Sequence, residues 1–88
     1  MATLRLFAAA REAAGTAVET INAETVGAAL ADACTRHGEA FGAVLAQSKV
    51  WLNGEPASLD AAIADGDEVA VLPPVSGGSE SVAPGRPG

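Results

Sequence analysis

An α+β fold, one main helix held by a mixed four- or five-stranded sheet, is predicted by three features of this 88-residue chain. Apolar residues alternate at the two-residue period of strands within 3–8, 17–23, 49–52 and 68–72. They switch to helical spacing between residues 26 and 37. Turn signals punctuate the runs: Gly15, Gly38, Asn53-Gly54 and Asp65-Gly66-Asp67. The length admits one core, and 49% apolar against 18% charged residues is a globular composition. Alanine supplies much of the apolar content and only Phe7, Phe41 and Trp51 are aromatic, so the core is light.

Taken in order, residues 3–8 form a strand with Leu4 and Leu6 toward the core. Residues 9–14 read as a helical turn closed by Gly15. Residues 17–23, built on Val18, Thr20 and Ile21, complete an opening hairpin. Thr25 is placed to cap the main helix, whose Val26, Ala29, Leu30, Ala33, Cys34 and His37 recur along one stripe until Gly38 stops it. Asp32 and Arg36, four apart, belong on its wet side as a weak surface pair. Residues 39–47 are a short helical or irregular connection to the strand Lys49–Leu52, which ends at Asn53-Gly54. Residues 59–63 are a short turn of structure, and Asp65-Gly66-Asp67 leads into the last strand, Glu68–Leu72. The order β-β-α-β-β with minor pieces predicts a ubiquitin-like β-grasp.

That last strand runs into Pro73-Pro74-Val75-Ser76-Gly77-Gly78. Proline fixes φ and biases the residue before it toward extended geometry, so the two prolines stiffen the base of an arm. Gly77 and Gly78 lack a Cβ and suit a narrow channel. Residues 79–88 have the composition of a disordered tail, which divides the chain into a domain of residues 1–78 and a tail. While Ser79 is attached, Gly78 offers an amide carbonyl, and cleavage after it is needed to expose a carboxylate. The alternative is that Gly77-Gly78 merely begins a linker.

Several classes are excluded or disfavoured. A formal charge of −6 without clustered Lys or Arg argues against nucleic acid and anionic membranes, and favours a partner with a basic docking surface. No stretch reaches the roughly 20 apolar residues of a spanning helix. One cysteine allows no internal disulfide, so a reducing cytoplasm is the expected compartment. Cys34 sits on the apolar stripe as a core residue rather than a sulfur acceptor, and His37 as a helix-end group rather than a ligand. Asp65 and Asp67 are turn formers before they are paired carboxylates. No set of residues at metal spacing, no phosphate-cradling loop and no nucleophile beside a base is present in the sequence.

The segment Phe7-Ala8-Ala9-Ala10-Arg11-Glu12 with Gly15, residues 50–54, Asp65-Gly66-Asp67-Glu68-Val69 and the ending 73–78 together resemble the sulfur-carrier small subunit of molybdopterin synthase. The resemblance covers about residues 3–78, and the tail departs from it, since such subunits usually end at the second glycine. A terminal Gly-Gly alone is shared by thiamine-type and cysteine-type carriers and by ubiquitin. The resemblance implies that an E1-like adenylyltransferase and sulfurtransferase uses ATP to adenylate Gly78 and that sulfur then replaces AMP. The thiocarboxylate so formed would donate sulfur within the large subunit, in a heterotetramer, to build a dithiolene. The carrier would bind no cofactor and catalyse nothing itself, and a protease would remove residues 79–88. A cysteine- or thiamine-type carrier, a ubiquitin-like modifier or a non-carrier β-grasp module are the alternatives.

Strand parity supplies a separate expectation. If Leu4, Leu6, Val50, Leu52, Val69 and Val71 face the helix, then Phe7, Trp51, Ala70 and Leu72 share the opposite sheet face with Arg5. An uncovered apolar face on a small domain marks a partner surface, with aromatic residues as anchors. Phe7, Trp51 and Leu72 of that face, with Pro73, Pro74, Val75 and Ser76 of the arm that the resemblance singles out, are the expected partner-binding residues, beside Gly77 and the reacting Gly78. The competing expectation is that residues 55–63 cover Trp51.

Overall fold

A computed structural model describes residues 1–74. Its elements are β1 (Ala2–Leu6), α1 (Ala8–Ala14), β2 (Val18–Ile21), α2 (Val26–His37), α3 (Glu39–Leu45), β3 (Lys49–Leu52), β4 (Glu55–Pro56) and β5 (Glu68–Leu72). The strands form one sheet in the order β2-β1-β5-β3-β4. β1 runs parallel to β5 and antiparallel to β2, and β3 is antiparallel to both β5 and β4. This is the mixed sheet and principal helix of a β-grasp.

Register carries the predicted parity through to packing. Leu4 pairs with Val69 and Leu6 with Val71, and all four are buried against α2 residues Val26, Ala29, Leu30 and Ala33. Phe41 of α3 is the largest fully buried side chain. Burying a side chain of that size stabilises by about 1.5–3 kcal/mol, a large share for a core otherwise built of alanine, valine and leucine. The expected connection over residues 39–47 thus contains a helix, Glu39–Leu45, that closes the core.

Local chemistry sets the boundaries. Thr25 Oγ1 accepts the Ala28 N–H at 3.1 Å and caps α2. Gly15 takes φ 77° at the C-cap of α1, and its N–H reaches the Arg11 carbonyl at 2.9 Å. β1 stops two residues before the expected limit because α1 starts at Ala8, whose φ of 50° reverses the chain within one residue. A left-handed alanine costs about 1–2 kcal/mol, a penalty composition does not announce. Asn53 and Gly54, at φ 53° and 84°, form the tight turn from β3 to β4.

Two attachments tie α2 down. His37 Nε2 lies 2.6 Å from Glu19 Oε2, and Arg36 bridges Glu19 at 2.9 Å and Asp32 at 2.8 Å. Arg36 thus joins its pair with Asp32 within α2 to a cross-link from α2 to β2 through Glu19. Both carboxylates hold the Arg36 guanidinium above its ordinary pKa, the Asp32 hydrogen bond first. At the other end of α2, Val26 and Gly27 donate to the Ala61 and Leu59 carbonyls at 3.0 and 2.8 Å, and Ile63 donates to Glu24 at 2.9 Å. Residues 59–63 are thereby docked on the start of α2; of the segment 55–63 expected to cover Trp51, Pro56 pairs beside it, and Trp51 is half-buried rather than covered.

Candidate functional site

Parallel pairing with β1 directs β5 so that Glu68 lies at the turn-bearing end of the sheet and Leu72 at the opposite end. Leu72 pairs with Lys49, the first residue of β3, and Pro73 and Pro74 continue from it. The arm therefore leaves the domain at the pole away from Asn53-Gly54 and Asp65-Gly66-Asp67.

Two depressions flank this exit. One lies toward the helices and is lined by Ala9, Ala43, Val44, Gln47, Pro73 and Pro74. The other lies toward the sheet and is lined by Gln47, Lys49, Trp51, Leu72, Pro73 and Pro74. They measure about 290 and 310 Å³. Gln47 and the two prolines belong to both, so the base of the arm is the ridge between two mainly apolar hollows.

The predicted partner-binding residues fall into three groups. Trp51, Leu72, Pro73 and Pro74 come together at the sheet-side hollow. Trp51 is half-buried, with Ala70 and Pro56 as its cross-strand partners. Phe7 stands apart from both hollows, beyond the end of β1. It keeps extended backbone (φ −121°, ψ 153°), donates its N–H to the Val71 carbonyl at 3.3 Å and is 43% exposed. Val75, Ser76, Gly77 and Gly78, and the tail 79–88, lie outside the described residues.

The sheet face beside Trp51 is less apolar than parity alone implied. Arg5 pairs with Glu68 there, and Val18, at 49% exposure, extends the row Val18-Arg5-Ala70-Trp51-Pro56 across all five strands. Sequence reasoning missed Lys49, Gln47, Ala9, Ala43 and Val44. Lys49 is the sole lysine in the chain, but only the pairing of β3 with β5 places it beside the arm.

Cys34 requires a correction. It is partly exposed and lines a third apolar groove, of about 400 Å³, with Leu30, Leu45, Val50 and Leu59 among its walls. Gly42 of α3 faces it, a Cβ there standing 3.8 Å from Sγ, and Cys34 packs against the core without being fully buried. Among the described residues no group of three or more His, Cys, Asp and Glu could hold a metal ion. Among them, too, no helix is long and apolar enough to cross a membrane.

Comparison with known proteins decides the family. The model of the ThiS family matches residues 4–78. The chain belongs to the ThiS family. Members of this family are small ubiquitin-like sulfur carriers and are not catalysts themselves. Among solved structures, SAMP1 of Haloferax volcanii is 36% identical to this ThiS-family chain, with TM-score 0.77, covering 88% of it and 98% of the archaeal protein. The putative molybdopterin converting factor subunit 1 of Pyrococcus furiosus is 29% identical, with TM-score 0.75 and coverage of 84% and 97%. The complex of subunits 1 and 2 of the molybdopterin-converting factor from Helicobacter pylori contains a chain sharing the fold at 24% identity, with TM-score 0.63 and coverage of 88% and 97%. No curated protein matches the sequence.

Proposed function

We propose that this ThiS-family protein carries sulfur for molybdopterin synthesis on a carboxyl-terminal Gly78 exposed by removal of residues 79–88. The observation that carries the reading is the exit of Pro73 and Pro74 from β5, between two apolar hollows, directly before Val75-Ser76-Gly77-Gly78. The family match ends on Gly78. The likeness to molybdopterin converting factor subunit 1 supports the pathway.

The chemistry runs through the partners. Hydrolysis of the Gly78–Ser79 peptide bond by a processing protease frees the carboxylate. One carboxylate oxygen attacks the α-phosphorus of ATP on an E1-like enzyme and pyrophosphate leaves. Sulfide-level sulfur then attacks the acyl carbon and AMP leaves, which yields the thiocarboxylate. The large synthase subunit receives the same arm and transfers the sulfur to a pterin precursor. The carrier contributes reach, a slender end and a docking surface.

A second reading is favoured by the likeness to SAMP1, a small archaeal modifier protein. In it the activated Gly78 acylates a lysine amine of another protein. Intact mass of the protein from its own cell separates the readings. A species ending at Gly78 with one oxygen replaced by sulfur supports the carrier, attachment to other proteins supports the modifier, and full-length chain alone refutes both. Pyrophosphate exchange checks the activation step on three proteins: full length, ending at Gly78 and ending at Gly77. Only the Gly78 form is expected to react, because full-length Gly78 has no carboxylate and loss of one extended residue shortens the reach by about 3.3–3.6 Å.

A further inference from the structure

The chain carries a formal charge of −6, yet the two hollows at the base of the arm do not share that sign. No Asp or Glu lines either hollow at the base of the arm, and Lys49 is the one charged residue that does. Of the other described arginines and the N-terminus, only Arg11 on α1 has no carboxylate partner, and it lines neither hollow. Arg5 is held by Glu68, Arg36 by Glu19 and Asp32, and the N-terminal ammonium by Asp65. Lys49 is exposed and forms no ion pair among the described residues. Acidic residues such as Glu55, Asp65 and Asp67 gather instead around the turns at the opposite pole.

We infer that the activating enzyme meets the base of the arm with an apolar surface carrying one carboxylate opposite Lys49, the reverse of the basic docking surface that net charge favours. This rests on the carrier reading and specifies its partner. Continuity requires the contact, since Pro73 and Pro74 line both hollows and a protein that takes in the arm must cover them. The anion cannot be the nucleotide. Six residues, 73–78, separate the Leu72–Lys49 pair from the reacting carboxyl, a reach of up to about 20 Å once the arm is drawn out into a channel. A lysine on a four-carbon stem does not span that distance. The group that meets Lys49 is therefore a fixed side chain of the enzyme. Its position on the rim lets it steer approach and fix register, while Trp51, Leu72 and the prolines supply apolar contact.

The test uses protein ending at Gly78 and the E1-like enzyme of the same cell, with binding measured without ATP and pyrophosphate exchange measured with it. Lys49→Glu should weaken binding and raise KM about tenfold or more at low salt while kcat stays within about twofold, as expected of a like-charge contact at an interface. Lys49→Arg should bind as wild type. The Lys49→Glu defect should shrink as ionic strength rises from about 0.05 to 0.5 M, because screening acts on exposed charge pairs. Unfolding midpoints of the variants establish that the fold is intact. Lys49→Glu binding as tightly as wild type at low salt overturns the inference. Wild type that binds but exchanges no pyrophosphate overturns the carrier reading and leaves the Lys49 comparison standing, and wild type that does neither overturns both.

Discussion

Asn53 and Asp67 fasten two turns of the sheet to each other: Asn53 Nδ2 donates to Asp67 Oδ1 at 3.1 Å. Asn53 Oδ1 accepts the Glu68 N–H at 2.9 Å, and its own N–H reaches the Glu68 carbonyl at 2.8 Å. Asp67 Oδ2 in turn accepts the Ala64 N–H at 2.8 Å. The end of β3 and the start of β5 are thus held in register, which fixes where β5 ends and where the arm departs.

Asn53 combines these bonds with a φ of 53°, a value asparagine tolerates better than other residues with a Cβ. Asn53→Gly keeps the backbone and loses the side-chain bonds, a cost of about 1 kcal/mol. Asn53→Ala loses the bonds and adds about 1–2 kcal/mol of left-handed strain. Urea unfolding should order the midpoints as wild type, then glycine, then alanine. Alanine equal to wild type would show that the turn does not depend on this side chain.

The acid limb of stability should report Asp67. The Ala64 N–H, and after it the Asn53 amide, hold its carboxyl below the usual carboxylate range. The N-terminal ammonium does the same for Asp65, by hydrogen bond and charge. A depressed acid stabilises the fold above its unfolded-state pKa, and that contribution disappears as pH falls through the folded value. Stability should therefore fall as pH drops below about 4, and the slope should be shallower in Asp67→Asn. Denaturant titrations at successive pH values between about 5 and 2 measure it. An unchanged slope would remove Asp67 from the account.

Much of this frame was legible because each signal was local. Thr25 could be placed as a cap, Asn53-Gly54 as a tight turn, and Leu4, Leu6, Val69 and Val71 as one face, from spacing alone. What escaped depends on contacts between distant segments. Phe41 is buried because Gly38, at φ 94°, ends α2 and starts α3 in one residue, which folds α3 back onto the core. Glu19 and His37 meet across the sheet and helix although they lie 18 residues apart. Of the candidate site, the prolines and Trp51 were readable from motif and parity. Lys49 and Gln47 were not, since they belong to it only through β3 pairing with β5 and the close of α3.

Gly27 offers a test in which two effects oppose. Alanine in a helix is favoured over glycine by about 1 kcal/mol. At this position its Cβ would stand 3.1 Å from the Leu59 carbonyl oxygen and 3.2 Å from Leu59 Cβ. That carbonyl cannot retreat freely, because the Gly27 N–H holds it at 2.8 Å and Val26 holds Ala61 beside it at 3.0 Å. Overpacking costs typically 1–3 kcal/mol, so crowding should win and Gly27→Ala should lower stability by about 1 kcal/mol. A stabilised variant would mean that residues 59–63 yield to the new methyl group.

The two outward aromatics should differ in what they report. Trp51 is half-buried between Ala70 and Pro56 and lines the sheet-side hollow. Truncating it removes packing as well as a docking contact, so Trp51→Ala should cost about 2 kcal/mol in unfolding free energy besides weakening partner binding. Phe7 is 43% exposed, and its structural duty at the start of α1 is met by backbone: its carbonyl accepts from Ala10 at 3.0 Å and its N–H donates to Val71. Phe7→Glu should therefore unfold within about 1 kcal/mol of wild type, helped by a carboxylate near the helix start. If the face beside β1 docks the large subunit or the activating enzyme, the same variant should bind at least tenfold more weakly, since burying a charge against an apolar partner is costly. Affinity and unfolding free energy measured on both variants separate the roles. Phe7→Glu with wild-type affinity for both partners would confine the docking surface to the hollows beside Pro73 and Pro74.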